Sequence, residues 1–540
     1  MRAAMRDASH LRLSVLLCLL ICLMDRACGA PEVILQTGFE GPQAAQALTS
    51  WRTSGNGLVG LAIGFQGKPS LRVEQPVAQG AGTTTVSIPL PVARMRGTRV
   101  NVRAMIRAEA VATPPQVYNG VKLMLVIVTP SGRQYPARMN LWGTFDWRPE
   151  AFQAVIPSDA TEAVLVLGVE QTTGTAWFDD VRVTAVRPYA GTPVTSGPAY
   201  TGHAGIPRLR GAMVSPDVTA DDLRVLGGEW GANLIRYQLY WVTPEGRPDG
   251  WRDLAAYDAW LDGRLNYLDS LLPACRKYGL HVVVDLHTPP GGNILLPGYV
   301  WPLFQERRYQ NKFLQVWDRI ARRYKGNKTV WGYDLANEPI PSDVAEGLMD
   351  WHALATRAAQ LVRRIDPEHA IIVEPGPGGG YDQIRFFAPL PVRGIVYSVH
   401  MYEPGAFTMQ GVTPGLPTGV TYPGTVQEVY WDRAQMEKSL QTVADYQHHY
   451  HVAIYIGEFS AVRWAPGAAQ YLRDAIDIFE KNGWDWSYHA FREWQGWSVE
   501  YPSAPKATRP APTPTDRERL LRAWYAKNRK VHANREKSTQ

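Results

Sequence analysis

Cysteine is nearly absent once the chain is past its start. Of four cysteines in 540 residues, Cys18, Cys22 and Cys28 fall within the first thirty, which leaves Cys275 without a partner. A disulfide framework is excluded, so stability must come from buried apolar surface, which a chain of this length can supply in two or three domains. Charge is also sparse: Asp, Glu, Lys and Arg make up 20% of the residues, with a net charge of +6. With no basic motif beside it, this weak excess gives no reason to expect a nucleic-acid partner. No Gly-rich phosphate loop follows any apolar run, and no zinc-ligand spacing occurs. Long hydrophobic runs are missing too. "LSVLLCLLICLM" falls short of the roughly 20 residues a membrane span needs, so stable membrane insertion is not expected.

That run follows Arg2, Arg6 and Arg12 and precedes "DRACGA", the order of a secretory signal peptide over residues 1–30. Cleavage is expected after Gly29 or Ala30, giving a secreted or periplasmic/extracellular protein. Asp25 and Arg26 stand where a lipid-anchored Cys28 would want small or apolar neighbours. Cleavage removes four Arg and two Asp and lowers the net charge from +6 to +4.

Aromatic rings are plentiful, with 19 Trp and 25 Tyr. Rings of this kind serve cores, and also stack on the flat faces of sugars. Their setting differs along the chain. Residues 31–187 alternate at strand period between polar turns, as in "VKLMLVIVT", "EAVLVLGVE" and "AWFDDVRVTAV", which predicts an all-β sandwich. Residues 188–206, rich in Gly, Pro, Ser and Thr, read as a linker. From 207 to 530, eight apolar runs alternate with helical stretches such as "YQNKFLQVWDRIARRYKG", the pattern of a (β/α)8 TIM barrel. Residues 531–540 form a basic tail.

Polar residues gather at the ends of those apolar runs. The second ends near Arg236, the third at His287 and the fourth at Asn337 and Glu338. The sixth ends at His400 and Tyr402, the seventh at Glu458 and the eighth around Trp494. Strand carboxyl ends converge on one barrel face, where such residues can meet a substrate. Two carboxylates there, Glu338 and Glu458, suit glycoside hydrolysis, in which one protonates the leaving oxygen while the other attacks the anomeric carbon or activates water. Sequence spacing alone leaves the stereochemistry open.

"DLANEP" followed 120 residues later by "IGEFSA", with "NLIRYQ", "DLH" and "HMY" in order, resembles glycoside hydrolase family 5, the cellulase-like retaining enzymes of clan A. The resemblance implies that Glu338 is the acid/base and Glu458 the nucleophile. It also implies that Arg236, His287, Asn337, His400 and Tyr402 bind substrate or carboxylates, and that Trp494 floors the reacting sugar, with Trp486 and Trp497 as alternatives. Polysaccharide or oligosaccharide is then the substrate. Internal cleavage of a β-1,4-glucan is the expected activity; β-mannanase, β-1,3-glucanase, exo-acting β-glycosidase, transglycosylase and non-catalytic sugar-binding protein are the alternatives. No cofactor or catalytic-domain metal is implied.

Glu374 and Glu493 read equally well as sugar contacts or ion-pair partners, Asp285 and Asp334 as groups bonded inside the barrel, and His448–His449 as a solvated helix end. Trp301, Trp431 and Trp464 are candidates for outer sugars, and the loops at 288–304 and 403–431 for shaping the cleft. The sandwich resembles carbohydrate-binding jelly-roll modules through "TGFEG" and "AWFDDVRV". That likeness implies a structural calcium at Glu40 and Asp179, and Trp142, Trp147 and Tyr118 are candidates for a sugar platform.

Overall fold

The computed structural model describes residues 31–40, 48–191, 208–242, 249–413 and 416–538, with side chains to residue 528. The expected signal segment and nearly all of the linker lie outside these residues, as do the side chains of the basic tail. The chain divides into two compact units.

The first unit is a sandwich of two antiparallel sheets. One holds Glu32–Thr37, Leu58–Ile63, Pro69–Gln75, Arg99–Val111, Gly143–Val155 and Gly174–Val186; the other holds Arg52–Ser54, Gly82–Pro89, Gly120–Thr129, Gly132–Gln134 and Glu162–Thr172. Alternation does the work expected of it. Leu71, Val73, Ile106, Ala108, Ala176 and Phe178 point inward against Leu123, Leu125, Leu165 and Leu167 of the facing sheet. Trp142 packs against this core and Trp147 against Phe65 at 5.7 Å, while Tyr118 is exposed. Trp142 thus contributes to packing.

The second unit is a closed barrel of eight parallel strands. They are β1 (Arg210–Val214), β2 (Leu234–Gln238), β3 (His281–Asp285), β4 (Val330–Asp334), β5 (Ala370–Val373), β6 (Ile395–Met401), β7 (Ala453–Phe459) and β8 (Asp485–Phe491). Every residue of β1, β2, β4, β5 and β6 is buried, which is why these strands read as continuous apolar runs. The barrel floor is packed by Leu234, Val283, Trp331, Ile372, Val396 and Tyr455, with Trp331 edge-on to Tyr455 at 5.8 Å.

The surrounding helices follow from spacing and caps. Tyr309, Phe313, Val316, Trp317, Ile320 and Tyr324 recur at helical period and make the buried face of Arg307–Tyr324. Asp253, Asp350 and Asp432 accept backbone N–H bonds at the starts of Leu254–Lys277, Trp351–Ile365 and Arg433–Tyr450, each cap contributing about 1 kcal/mol. Between β5 and β6 the usual helix is reduced to the 3-10 segment Tyr381–Phe386. Cys275 is fully buried, and burial pushes its thiol up to about 12. Among the described residues no helix is long and apolar enough to cross a membrane.

Candidate active site

Above the apolar floor the barrel interior turns abruptly polar around Arg236. Its guanidinium is fully buried, and four carboxylates enclose it. Nη1 lies 2.6 Å from Glu458 Oε1; Nη2 lies 3.0 Å from Glu374 Oε1, 3.1 Å from Asp285 Oδ1 and 3.0 Å from Asp334 Oδ2. Nη2 also donates to Asn337 Oδ1 at 3.0 Å. A buried guanidinium is tolerated only with such pairing. Burial opposes its charge, but the carboxylates outweigh that and hold the group well above its ordinary value. For Asp334, burial reinforced by Glu374 and Asp285 prevails over Arg236, so its carboxyl is held well above the usual range.

Glu374 is fully buried and joins three elements. It bonds Arg236, accepts the backbone N–H of Glu338 at 2.7 Å, and lies 3.2 Å from His400 Nε2. It is therefore an ion-pair partner and not a sugar contact. Glu338 itself sits at φ 48°, a left-handed conformation that costs free energy in a non-glycine residue and that its bond to Glu374 helps maintain.

His400 reaches three carboxylates. Nδ1 is 2.8 Å from Glu338 Oε1 and 3.7 Å from Glu458 Oε2, and Nε2 faces Glu374. Burial opposes protonation, yet Glu374, Glu458 and Glu338 hold the ring well above its ordinary value. Space for it depends on Gly457, where a Cβ would stand 2.5 Å from Ser398 Oγ and 3.1 Å from His400 Nε2. Tyr402 donates its hydroxyl to Glu458 Oε2 at 2.8 Å. His287 lies beside Asp285 at 2.8 Å and edge-on to Tyr240.

One residue of this group escaped the sequence reading. His489, on β8, places Nδ1 3.2 Å from Glu458 Oε2 and contacts the Tyr402 hydroxyl. Burial disfavours its charge, but Glu458 and Glu493 raise it to about 10. Burial would likewise raise Glu458, but His400, His489 and Arg236 together hold it well below the usual carboxylate range.

A cavity of about 320 Å³ opens over these groups, lined among others by His287, Asn337, Glu338, Glu458, His489 and Trp497. A second, of about 290 Å³, shares Glu338 and Tyr402 with the first and extends past Tyr381 and Glu403 to Trp431. Trp494, expected as the floor, lines neither. It lies on the loop beyond β8, edge-on to Trp497 at 5.4 Å, and Trp497 is the tryptophan that lines the first cavity. Trp486 is fully buried in the barrel wall and Trp301 is buried. Oxygens of Glu338 and Glu458 and a nitrogen of His400 all lie within 4.8 Å of one another. With Arg236 and His489 already beside Glu458, this cluster is poorly suited to a further cation.

In the sandwich, Glu40 and Asp179 converge on Gly38, where a Cβ would lie 3.5 Å from Glu40 Oε1 and 3.4 Å from Asp179 Oδ1. Asp179 Oδ2 is buried without a hydrogen-bond partner, and burial, with Glu40 and Asp180 nearby, raises its carboxyl to about 6. Two converging carboxylates, one with an oxygen that makes no hydrogen bond, fit a hard cation. Lys68, 3.1 Å from Glu40, is the competing charge.

Residues 195–494 match the sequence model of the cellulase family, glycosyl hydrolase family 5. Cellodextrinase A of Ruminococcus flavefaciens is 28% identical over 282 residues, covering 51% of this chain and 79% of that protein. Endoglucanase C of Acetivibrio thermocellus is 23% identical over 253 residues, covering 42% and 72%. A solved glycoside hydrolase structure superposes with a TM-score of 0.47 at 23% identity, covering 59% of this chain and 99% of that one.

Proposed function

The chain belongs to glycosyl hydrolase family 5 and is a glycoside hydrolase, and from that premise we propose a retaining endo-β-1,4-glucanase that works by double displacement. The observation that carries the reading is the closeness of Glu338 and Glu458, with oxygens within 4.8 Å at the mouth of the barrel. Retaining enzymes hold their carboxyl groups roughly 5–5.5 Å apart, whereas inverting enzymes leave about 6.5–9.5 Å for a water.

In the first step Glu458 attacks the anomeric carbon, the glycosidic C–O bond breaks, and Glu338 gives its proton to the departing oxygen. In the second, Glu338 takes a proton from water as the water oxygen displaces Glu458 and restores it as a carboxylate. Arg236, Tyr402 and His489 keep Glu458 ionised and oriented. Asn337 gives its amide oxygen to Arg236, which leaves its NH2 to donate to the sugar 2-hydroxyl. Glu338 borders both cavities and Glu458 only the first. The reacting sugar therefore occupies the cavity with Trp497, and the leaving chain the one with Trp431. Room on the leaving side supports action on a polymer.

The proposal includes export through residues 1–30 and a calcium held by Glu40 and Asp179 in the sandwich. The test is hydrolysis of carboxymethylcellulose, mannan, xylan, laminarin and aryl β-glycosides, with NMR of the first product. Rapid viscosity loss on carboxymethylcellulose and an initial β-anomer are expected, and Glu338→Gln and Glu458→Gln should each lose at least about 100-fold in rate. Undiminished hydrolysis by either variant would overturn the assignment.

A further inference from the structure

The polar groups of the reacting cavity come from opposite walls of the barrel. In the closed sheet β4 stands four strands from β8, so residues just beyond these strands lie on opposite sides of the mouth. Asn337 follows β4, His287 follows β3 and Glu493 follows β8. All three line the cavity that holds Glu338 and Glu458. On the β6 to β8 wall most polar atoms are already engaged. Tyr402 donates to Glu458, and His489 lies between Glu458 and Glu493. His489 Nε2 holds Glu493 Oε2 at 3.2 Å, while Oε1 of the same carboxylate accepts no bond from any described residue. The Glu493 side chain is 26% exposed, so a hydroxyl donated to it is only partly screened by water.

A ring cleaved within a β-1,4-linked chain keeps its 2- and 3-hydroxyls and its 6-hydroxymethyl free. Asn337 donates to the 2-hydroxyl in the mechanism above. His287 is held through Nδ1 by Asp285 at 2.8 Å, which leaves Nε2 for the adjacent 3-hydroxyl. C5 lies across the pyranose ring from C2, so the hydroxymethyl points toward the β8 wall, where Glu493 Oε1 is the free acceptor.

We propose that Glu493 accepts the 6-hydroxyl of the reacting sugar and thereby selects hexosyl over pentosyl rings. This rests on the double-displacement reading, which places the reacting ring between Asn337 and Glu458. A xylosyl ring carries hydrogen in place of the hydroxymethyl and would leave the carboxylate unpaired, a mismatch that sites built to bond a hydroxyl penalise. A glucuronosyl ring would set its own carboxylate against Glu493, a repulsive contact.

The test compares an aryl β-cellobioside with an aryl 4-O-β-glucosyl-β-xyloside, which differ only in the hydroxymethyl of the reacting ring. Wild type should prefer the cellobioside at least about tenfold in kcat/KM, ~1.4 kcal/mol. Glu493→Ala should lower that ratio about tenfold. Glu493→Gln keeps an acceptor oxygen and should lower it about threefold; matched in size, it carries the test should the Ala variant fail to fold. A wild type without preference overturns the proposal. So does a ratio that stays the same in the variants, and an equal loss on both glycosides would confine Glu493 to supporting His489. Undiminished hydrolysis of carboxymethylcellulose by Glu338→Gln would instead defeat the functional reading on which the placement of the ring rests.

Discussion

His489 lies 3.2 Å from Glu458 Oε2 through one ring nitrogen and 3.2 Å from Glu493 Oε2 through the other. It therefore links Glu458 to the wall of the cleft. Burial works against its charge, but Glu458 and Glu493 raise it to about 10 from an ordinary 6.5. The Tyr402 hydroxyl also faces it, Trp497 lies against the ring, and Arg236 and His400 stand across Glu458. A raised value means that the contribution to stability is complete below pH 6.5, declines as pH rises, and is gone above about 10. Glu493→Gln removes one of the two anions. The decline in stability and the alkaline limb of kcat/KM should both move down by about one pH unit. His489→Asn should move the acid limb up, because Glu458 loses a positive neighbour. Melts and rate profiles that stay in place would uncouple the three residues.

Arg236 balances four buried carboxylates. Arg236→Met should lower stability by about 3–5 kcal/mol and abolish turnover. Arg236→Lys, which keeps the charge but loses the planar fork, should recover part of the stability and little of the activity. Thermal melts beside initial rates check both, and a Met variant that melts like wild type would refute the balance.

Gly457 makes room for Ser398 and His400. Gly457→Ala should cost about 1–3 kcal/mol in overpacking and at least about tenfold in kcat as His400 is displaced. Adding Ser398→Ala removes the closest contact and should restore part of both. A double variant no better than the single one would place the strain elsewhere.

Calcium should stabilise the sandwich through Asp179 and Glu40. Free calcium at a hundred times its Kd adds about 2.7 kcal/mol, seen as a higher melting temperature of the full chain that a chelator reverses. Asp179→Asn should abolish that response. A melting temperature indifferent to calcium would leave Lys68 as the permanent partner of Glu40.

Much of the catalytic face was legible because barrel strands are monotonously apolar, so Arg236, His287, Asn337, Glu338, His400, Tyr402 and Glu458 stood out at their ends. His489 did not. It lies within "WSYHAF", an aromatic strand where one imidazole passes for packing, although strand alternation puts it on the same face as Ser487. The resemblance put Trp494 ahead of Trp497, although both lie on a loop beyond the last strand, where no periodicity fixes direction. "VEPG" left Glu374 open between sugar and salt bridge. Only full burial against Arg236 and the Glu338 amide separates the two.

The path through Glu374 has a consequence for how such a protein can diversify. Arg236 grips Glu458 on β7, Glu374 just beyond β5 grips Arg236, and the same carboxylate holds the backbone of Glu338 beyond the end of β4. The gap between Glu338 and Glu458 is thereby set by an internal brace, not by the surface loops that carry Trp431 and Trp494. Those loops can lengthen, shrink or exchange side chains, and so change the carbohydrate that is accepted, while the span across which the bond is broken stays the same.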